Sequence, residues 1–178
     1  MALITGLLLL MVVTIIGLSM FRSYGMQEKI ASNAREKDRA LNAAISAQQF
    51  AENWIASAAA TPVGGICTAG IVSSNVGQVC TNKVDNADQG FATGSWTIGG
   101  APVGIRFDSF TGQTISAANP SMGSWYQAPQ FYVTQLGVSG NSTFYQIDSV
   151  GWGGTSNSIA VVESTYQVQQ SGTPPLDK

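Results

Sequence analysis

The chain opens with an apolar run over residues 1–21 that contains no charged side chain. A helix over this run is about 30 Å long at a rise of about 1.5 Å per residue, which matches the hydrocarbon thickness of a bilayer. The run lacks the basic start and the small-residue cleavage site of a secretory signal peptide. It therefore predicts a helix that can span a membrane, and a plain N-terminal anchor is one interpretation of it.

The helical pattern continues past the apolar run. Residues 22–60 contain no proline, so no residue of that type ends the helix there. Charges of both signs cluster in residues 28–39, which is typical of a solvated or subunit-facing surface. Mostly small side chains then recur at three- and four-residue steps, and small side chains let a sheet approach closely. We expect this stripe to pack on a sheet: Leu41, Ala44, Ala47, Ala51, Ile55 and Ala58. Phe50 lies nearly opposite it, as a core residue or as a contact for a neighbouring chain.

The pattern changes to that of β-strands after Pro62 and the Gly64-Gly65 pair, which end the helix. Residues 96–107 carry two apolar runs around a Gly-Gly-Ala-Pro turn, which predicts a hairpin. Three later runs, separated by turn-rich segments, predict three consecutive antiparallel strands. In the last run, apolar Val162 and Tyr166 alternate with polar Glu163 and Thr165, so this strand has one buried face.

These patterns predict an α+β fold in which one long helix packs on an antiparallel sheet. Residues 1–27 form the membrane-spanning half of the helix, and residues 28–60 form its amphipathic half. Residues 61–94 are a loop region that contains both cysteines, residues 95–170 form the sheet, and residues 171–178 are a loose tail.

Charge and composition exclude several classes of function. The net charge of −2 and the lack of a basic cluster after residue 39 exclude a nucleic-acid site, which must neutralise many phosphates. The chain has no histidine, which removes histidine-based triads and most zinc sites. Asp108, Asp148 and Glu163 are isolated in the sequence and form no acid and base pair. We therefore predict no catalytic residue and no cofactor, and thus a protein that is not an enzyme.

Two further motifs have a structural interpretation. Asp85 and Asp88 faintly resemble a calcium loop, but the alternate positions supply no carboxylate, so a polar turn is the better interpretation and no metal is predicted. The GWGG motif at residues 151–154 lacks the lysine of a phosphate-binding loop and predicts a strand turn.

Cys67 and Cys80 are the only cysteines, and their spacing is not that of a metal site. We expect a disulfide between them and hence an oxidising compartment, with two unpaired buried thiols as the alternative.

The N-terminal quarter resembles the minor pilins of the PilX family in three segments, MALI, TIIGLSM and QEKIASNAREKDRAL. The resemblance implies a type IV pilin fold and makes Met1 the processed and methylated first residue. Most pilins carry a glutamate at the fifth position, which neutralises the N-terminal amine of the subunit ahead during assembly. This chain has Thr5 there, which suits a subunit at the leading end of a filament.

The same resemblance implies a set of partners and locations. The partners are other minor pilins, the major pilin, a PilY-type tip adhesin and, before assembly, the bacterial inner membrane. The folded domain is expected in the periplasm before assembly and at the extracellular pilus tip afterwards. Two alternatives remain open. A K-type pseudopilin of type II secretion also lacks the fifth-position glutamate, and an N-terminally anchored periplasmic binding domain would instead have a ligand pocket.

Overall fold

The computed structural model describes residues 2–57, 63–67, 70–72, 78–85, 96–98, 101–108 and 125–169. The expectations for Met1, for Ala58, for the helix end near residue 60 and for the tail at residues 171–178 lie outside this part of the chain. The chain forms two compact units, residues 1–35 and residues 36–178. One helix, α1 (Ala2–Ser57), contributes residues to both units.

The first unit consists of the N-terminal part of α1. Its large apolar side chains are exposed, from Leu3 at 87% to Ile16 at 53%. A helix satisfies its backbone donors and acceptors internally, so it does not need water along its length. By length and apolar composition, α1 is able to cross a membrane, as the sequence predicts.

The second unit contains one mixed sheet, whose strands are β1 (Gly70–Val72), β2 (Val79–Cys80), β3 (Trp96–Ile98), β4 (Ala101–Arg106), β5 (Gln130–Ser139), β6 (Ser142–Trp152) and β7 (Ile159–Gln169). The main strand order is β1-β4-β5-β6-β7, while β2 pairs with β5 and β3 with β4. The predicted hairpin is β3–β4, and the three predicted consecutive strands are β5, β6 and β7, all antiparallel.

Two short strands lie within the region that the sequence predicts as a loop. β1 pairs with β4 and β2 pairs with β5, and both pairs are parallel. A parallel pair needs a long connection between its strands, so neither has a local turn signal in the sequence. The sheet is therefore antiparallel in its centre and mixed at one side.

The alanine stripe packs on the sheet, which confirms the α+β arrangement. Ala47, Ala51 and Ile55 share a core cluster with strand residues, which are Val79, Ile105, Phe131, Val133, Tyr145 and Ile147. Ala44 is also fully buried. Tyr166 and Val168 of β7 pack against the same cluster, as the alternation in that strand predicts.

The prediction for Leu41 is wrong, because its side chain is 42% exposed. Ala40 takes the buried position at this level of α1, with no exposed surface. The sheet thus meets a face of the helix that is rotated away from Leu41. Phe50 is a core residue, since its ring lies 5.1 Å from the Phe107 ring and 5.9 Å from the Phe131 ring.

The second face of the sheet carries a different core. Because side chains alternate across a strand, Tyr132, Val150 and Trp152 face away from α1. They pack with Cys67, Cys80, Val84, Trp96 and Val103. The cysteine-containing segment therefore covers the side of the sheet that the helix does not.

Candidate functional site

The exposed apolar surface of residues 3–21 is the first candidate site. Thr5 lies on it, between Ile4 and Leu7, whose side chains are also exposed. A continuous apolar surface of this size in a soluble protein marks contact with a membrane or with other proteins. This part of α1 can therefore bury itself in lipid or among other helices.

A threonine in such a helix can satisfy its hydroxyl without a partner chain. Thr14 shows the geometry, since its Oγ1 donates to the carbonyl oxygen of Met11 at 2.8 Å. A carboxylate lacks this option because it is a charged acceptor, and its burial in an apolar medium costs several kcal/mol unless a cation pairs with it. Threonine and glutamate at position 5 thus place different demands on the surroundings of the helix.

A polar cluster joins residues 36–39 of α1 to the turn after β6. The backbone N–H of Gly154 donates to Oε2 of Glu36, and Nη1 of Arg39 donates to Oε1 of the same carboxylate at 2.9 Å. The Arg39 guanidinium also lies 5.8 Å from the centre of the Trp125 ring. These contacts are half-buried and fix the helix against the turn at the start of the second unit.

The GWGG motif supplies the close approach that this packing requires. A Cβ at Gly151 would overlap the backbone O of Ala40 and the backbone N of Ala44, and it would lie 2.8 Å from Cβ of Ala43. A Cβ at Gly153 would lie 2.6 Å from the backbone O of Glu36. The motif therefore lets the end of β6 touch the helix backbone, a role that its predicted strand turn does not include.

Cys67 and Cys80 form a disulfide, as the sequence predicts. Asn82 holds the same segment with a pair of hydrogen bonds: its Oδ1 accepts from the N–H of Cys67 at 2.9 Å, and its Nδ2 donates to the carbonyl oxygen of Cys67 at 2.8 Å. The Tyr132 hydroxyl donates to the carbonyl oxygen of Asn82 at 2.8 Å. The disulfide and Asn82 thus close the cysteine segment on itself, and the Tyr132 hydrogen bond fixes the segment to β5.

Burial changes the ionisation of two groups on this second face. It raises the pKa of Tyr132 to about 12, with further contributions from the charges of Asp148 and Asp85. Burial also raises the pKa of Asp148, while the hydrogen bond from Gln146 acts in the opposite direction. Tyr132 therefore remains a neutral donor throughout the physiological pH range.

The strand register brings two acids together that are distant in the sequence. Asp148 of β6 lies directly opposite Glu163 of β7. The two acids, which are isolated in the sequence, are therefore neighbours in the folded protein. Asp148 is fully buried and Glu163 is exposed, so the charge that the solvent meets belongs to Glu163.

Comparison with known families identifies the N-terminal segment. Residues 1–44 match the family model described as PilX N-terminal. The N-terminal quarter of the chain is similar to that of PilX-family pilins. The match covers 44 of the 178 residues and includes Thr5 and the first part of the alanine stripe. No curated protein and no solved structure matches the chain.

This match supports a minor pilin of a type IV pilus, and PilX-family proteins are structural components of pili. The apolar helix fits membrane anchoring and pilus assembly. Sequence reasoning missed Glu36, Asn82 and Gly151 as residues that hold the second unit together. Only Gly151, within GWGG, carried a signal that could have found it.

Proposed function

We propose that this minor pilin occupies the leading end of a type IV pilus. There it forms a tip complex with other minor pilins, primes polymerisation of the major pilin and supports a PilY-type adhesin. The observation that carries the proposal is Thr5 on the exposed apolar surface of α1, at the position where most pilins have a glutamate.

The chemistry of position 5 explains the preference for the leading end. A fifth-position carboxylate is stable in the filament core only when the amine of the subunit ahead neutralises it. A leading subunit has no subunit ahead of it, and a threonine there needs no counter-ion. In this proposal Met1 is the processed first residue, and its amine can still receive the glutamate of the subunit that follows. The protein should therefore begin filaments and not extend them.

The proposed route of the protein follows from its two units. The apolar helix holds the subunit in the inner membrane before assembly and then packs in the filament core. The second unit, with its disulfide, folds in the oxidising periplasm and supplies contacts to sibling pilins. After assembly it lies at the extracellular tip.

Deletion and localisation test this function in the pilated bacterium. We expect deletion to reduce the number of surface pili without changing the structure of those that form. Immunogold labelling should place the protein at filament ends in very low copy. Labelling spread evenly along the shafts would contradict the proposal.

A substitution at position 5 tests the chemical argument. Thr5→Glu should not increase incorporation along the shafts, because a subunit that occupies the leading end has no amine ahead of it to pair with the added carboxylate. Thr5→Ser, which keeps the hydroxyl, should preserve the normal number of pili. Thr14→Glu is the control for a carboxylate elsewhere in the same helix, where it costs about 3 kcal/mol in a bilayer. A Thr5→Glu protein that enters shafts in markedly higher copy would refute a leading position.

A further inference from the structure

The outer edge of β7 has the properties of an open strand-pairing surface. β7 is the last strand of the sheet, and all eleven of its residues are in register with β6 without a bulge. Within the part of the chain that the structure describes, β7 pairs with β6 alone. Natural proteins usually protect such an edge with a lysine, a proline, a bulge or a short strand. Ile159–Gln169 has no lysine, proline or bulge and is eleven residues long. Its one charged residue is Glu163, and Lys37 of α1 donates to the carbonyl oxygen of Ile159 at one end of the strand.

We propose that this edge accepts an extended segment of a partner protein as an additional strand of the sheet. Addition of a strand satisfies the outward backbone donors and acceptors of β7, and side-chain pockets beside the edge give specificity. The inference goes beyond the proposed tip function, because it names a surface and its chemistry without use of Thr5.

The helix contacts β7 at two points. Nζ of Lys37 donates to the carbonyl oxygen of Ile159 at 3.1 Å, and Oγ of Ser164 donates to Oε1 of Glu52 at 3.1 Å. α1 therefore runs along β7 between these two contacts. Leu41 and Ile45 fall on the same side of the helix as Lys37 and Glu52, at helical spacing.

The exposure of these two side chains fits that position. Leu41 is 42% exposed and Ile45 is half-buried, so both lie at the flank of the helix and outside its buried centre. Inward side chains of an added strand would cover them. The exposure of Leu41, which contradicts its predicted role in this chain's own core, is then explained by a partner.

The charge on the edge strand indicates which charge the added strand should carry. Glu163 is exposed on β7, and its cross-strand neighbour on β6 is the buried acid Asp148. Opposite charges on neighbouring strands stabilise pairing, and like charges destabilise it. The matching strand therefore alternates apolar and polar residues and places a lysine or arginine next to Glu163.

A second β7 and the segment that follows β7 in the sequence are poorer occupants. β7 has no basic residue, so pairing with another β7 would bring a second Glu163 and no counter-charge. The segment after β7 contains Pro174 and Pro175, and proline cannot donate to a strand ladder. The partner is thus a different protein with a basic, extended segment.

Peptide titration of the full chain in detergent micelles tests the proposal. The probe is the nine-residue peptide Thr-Val-Thr-Val-Lys-Val-Thr-Val-Thr, and the matched probe has Glu in place of Lys. We expect the lysine peptide to slow hydrogen exchange of the β7 amides and to bind about two- to five-fold more tightly than the glutamate peptide, the effect of one cross-strand charge pair. Glu163→Lys should reverse this preference, and Glu163→Gln should remove it.

The same measurements contain the outcomes that would overturn the proposal. Unchanged exchange of β7 amides with the lysine peptide would show that the edge does not accept a strand. Retention of the lysine preference in Glu163→Lys would show that the peptide binds elsewhere. Dimerisation of the chain with protected β7 amides in the absence of peptide, measured by light scattering and hydrogen exchange, would replace the heterologous partner with a second copy.

Discussion

Residues 3–21 and residues 40–55 both belong to α1, but their side chains have opposite surroundings. The first segment is made of large apolar residues, and those side chains are exposed. In the second segment the face that packs on the sheet is made mostly of alanines, and Ala40, Ala44, Ala47 and Ala51 are fully buried. Along α1, large size and high hydropathy therefore do not locate the residues that join the core.

The difference shows that the two segments are suited to different surroundings. Burial of a residue within a chain requires a close neighbour, and alanine allows the backbone of a sheet to come near. Large exposed apolar side chains require another apolar medium, either lipid or other helices. The packed segment thus stabilises the fold of the second unit, and the exposed segment fits membrane anchoring.

The largest expected effect comes from added side-chain volume at the point where the packed segment contacts β6. Gly151→Val places side-chain atoms against the helix backbone at Ala40 and Ala44. Since backbone atoms cannot move aside as a side chain can, we expect the second unit to lose about 3 kcal/mol or more of its free energy of unfolding, at the upper end for overpacking. Urea denaturation monitored by tryptophan fluorescence measures this loss.

Gly65→Ala is the matched control for that substitution. A Cβ at Gly65 meets nothing within 4 Å, so the change should alter the free energy of unfolding by less than about 1 kcal/mol. Equal stability of the Gly151→Val and wild-type proteins would mean that the helix does not touch β6 at this point.

The next prediction tests whether the second unit can lose stability while the apolar segment keeps its helical structure. Cys67→Ser combined with Cys80→Ser removes a crosslink between residues 13 positions apart. The chain-entropy model gives a loss of about 3 kcal/mol for a loop of this size. The midpoint of urea denaturation should fall, while the helical circular dichroism of residues 3–21 in micelles stays unchanged. Simultaneous loss of both signals would show that the two segments unfold as one cooperative structure.

A smaller effect concerns the buried acid on the second face of the sheet. Since burial raises the pKa of Asp148 in the folded state, the stabilising form is the protonated one. Its contribution is fully present below the unfolded pKa and is lost as the pH rises through the folded pKa. Asp148→Asn should therefore raise the melting temperature at pH 7, because the amide is neutral and its oxygen can still accept from Gln146.

The pH dependence separates this cause from a change in packing. The gain from Asp148→Asn should shrink as the pH falls towards 3, where the wild-type acid is itself protonated. An equal gain at both pH values, measured by differential scanning calorimetry, would assign the effect to packing. Glu163→Gln, at the exposed neighbour, is the control and should change the melting temperature less.

The smallest expected effect on the stability of the second unit comes from substitutions in the N-terminal segment of α1. Gly17→Ala with Gly25→Ala should strengthen the N-terminal helix by about 1 kcal/mol per residue, because glycine is a poor helix former. Neither position has atoms within 4 Å of an added Cβ. We expect slower hydrogen exchange around these residues and no change in the urea midpoint of the second unit; a shifted midpoint would contradict the separation of the two segments.

Local features of the fold could be predicted from the sequence. The helix, the β3–β4 hairpin and the strands β5, β6 and β7 follow from periodicity and turn residues, which are properties of consecutive positions. The disulfide followed because the chain offers only two cysteines. The PilX-type segment was recognisable because the resemblance lies in consecutive residues at the N-terminus, within the matched range 1–44.

Only the tertiary structure decided the features that depend on distant residues. The parallel strands β1 and β2, the close contact at Gly151 and the position of Asp148 opposite Glu163 each join segments that no local pattern connects. Leu41 and Ile55 belong to the same helical stripe, yet one is exposed and the other is buried. Periodicity defines a stripe on a helix, but the edge of the sheet beneath it determines where that stripe stops being core, and that edge is set by the packing of the whole unit.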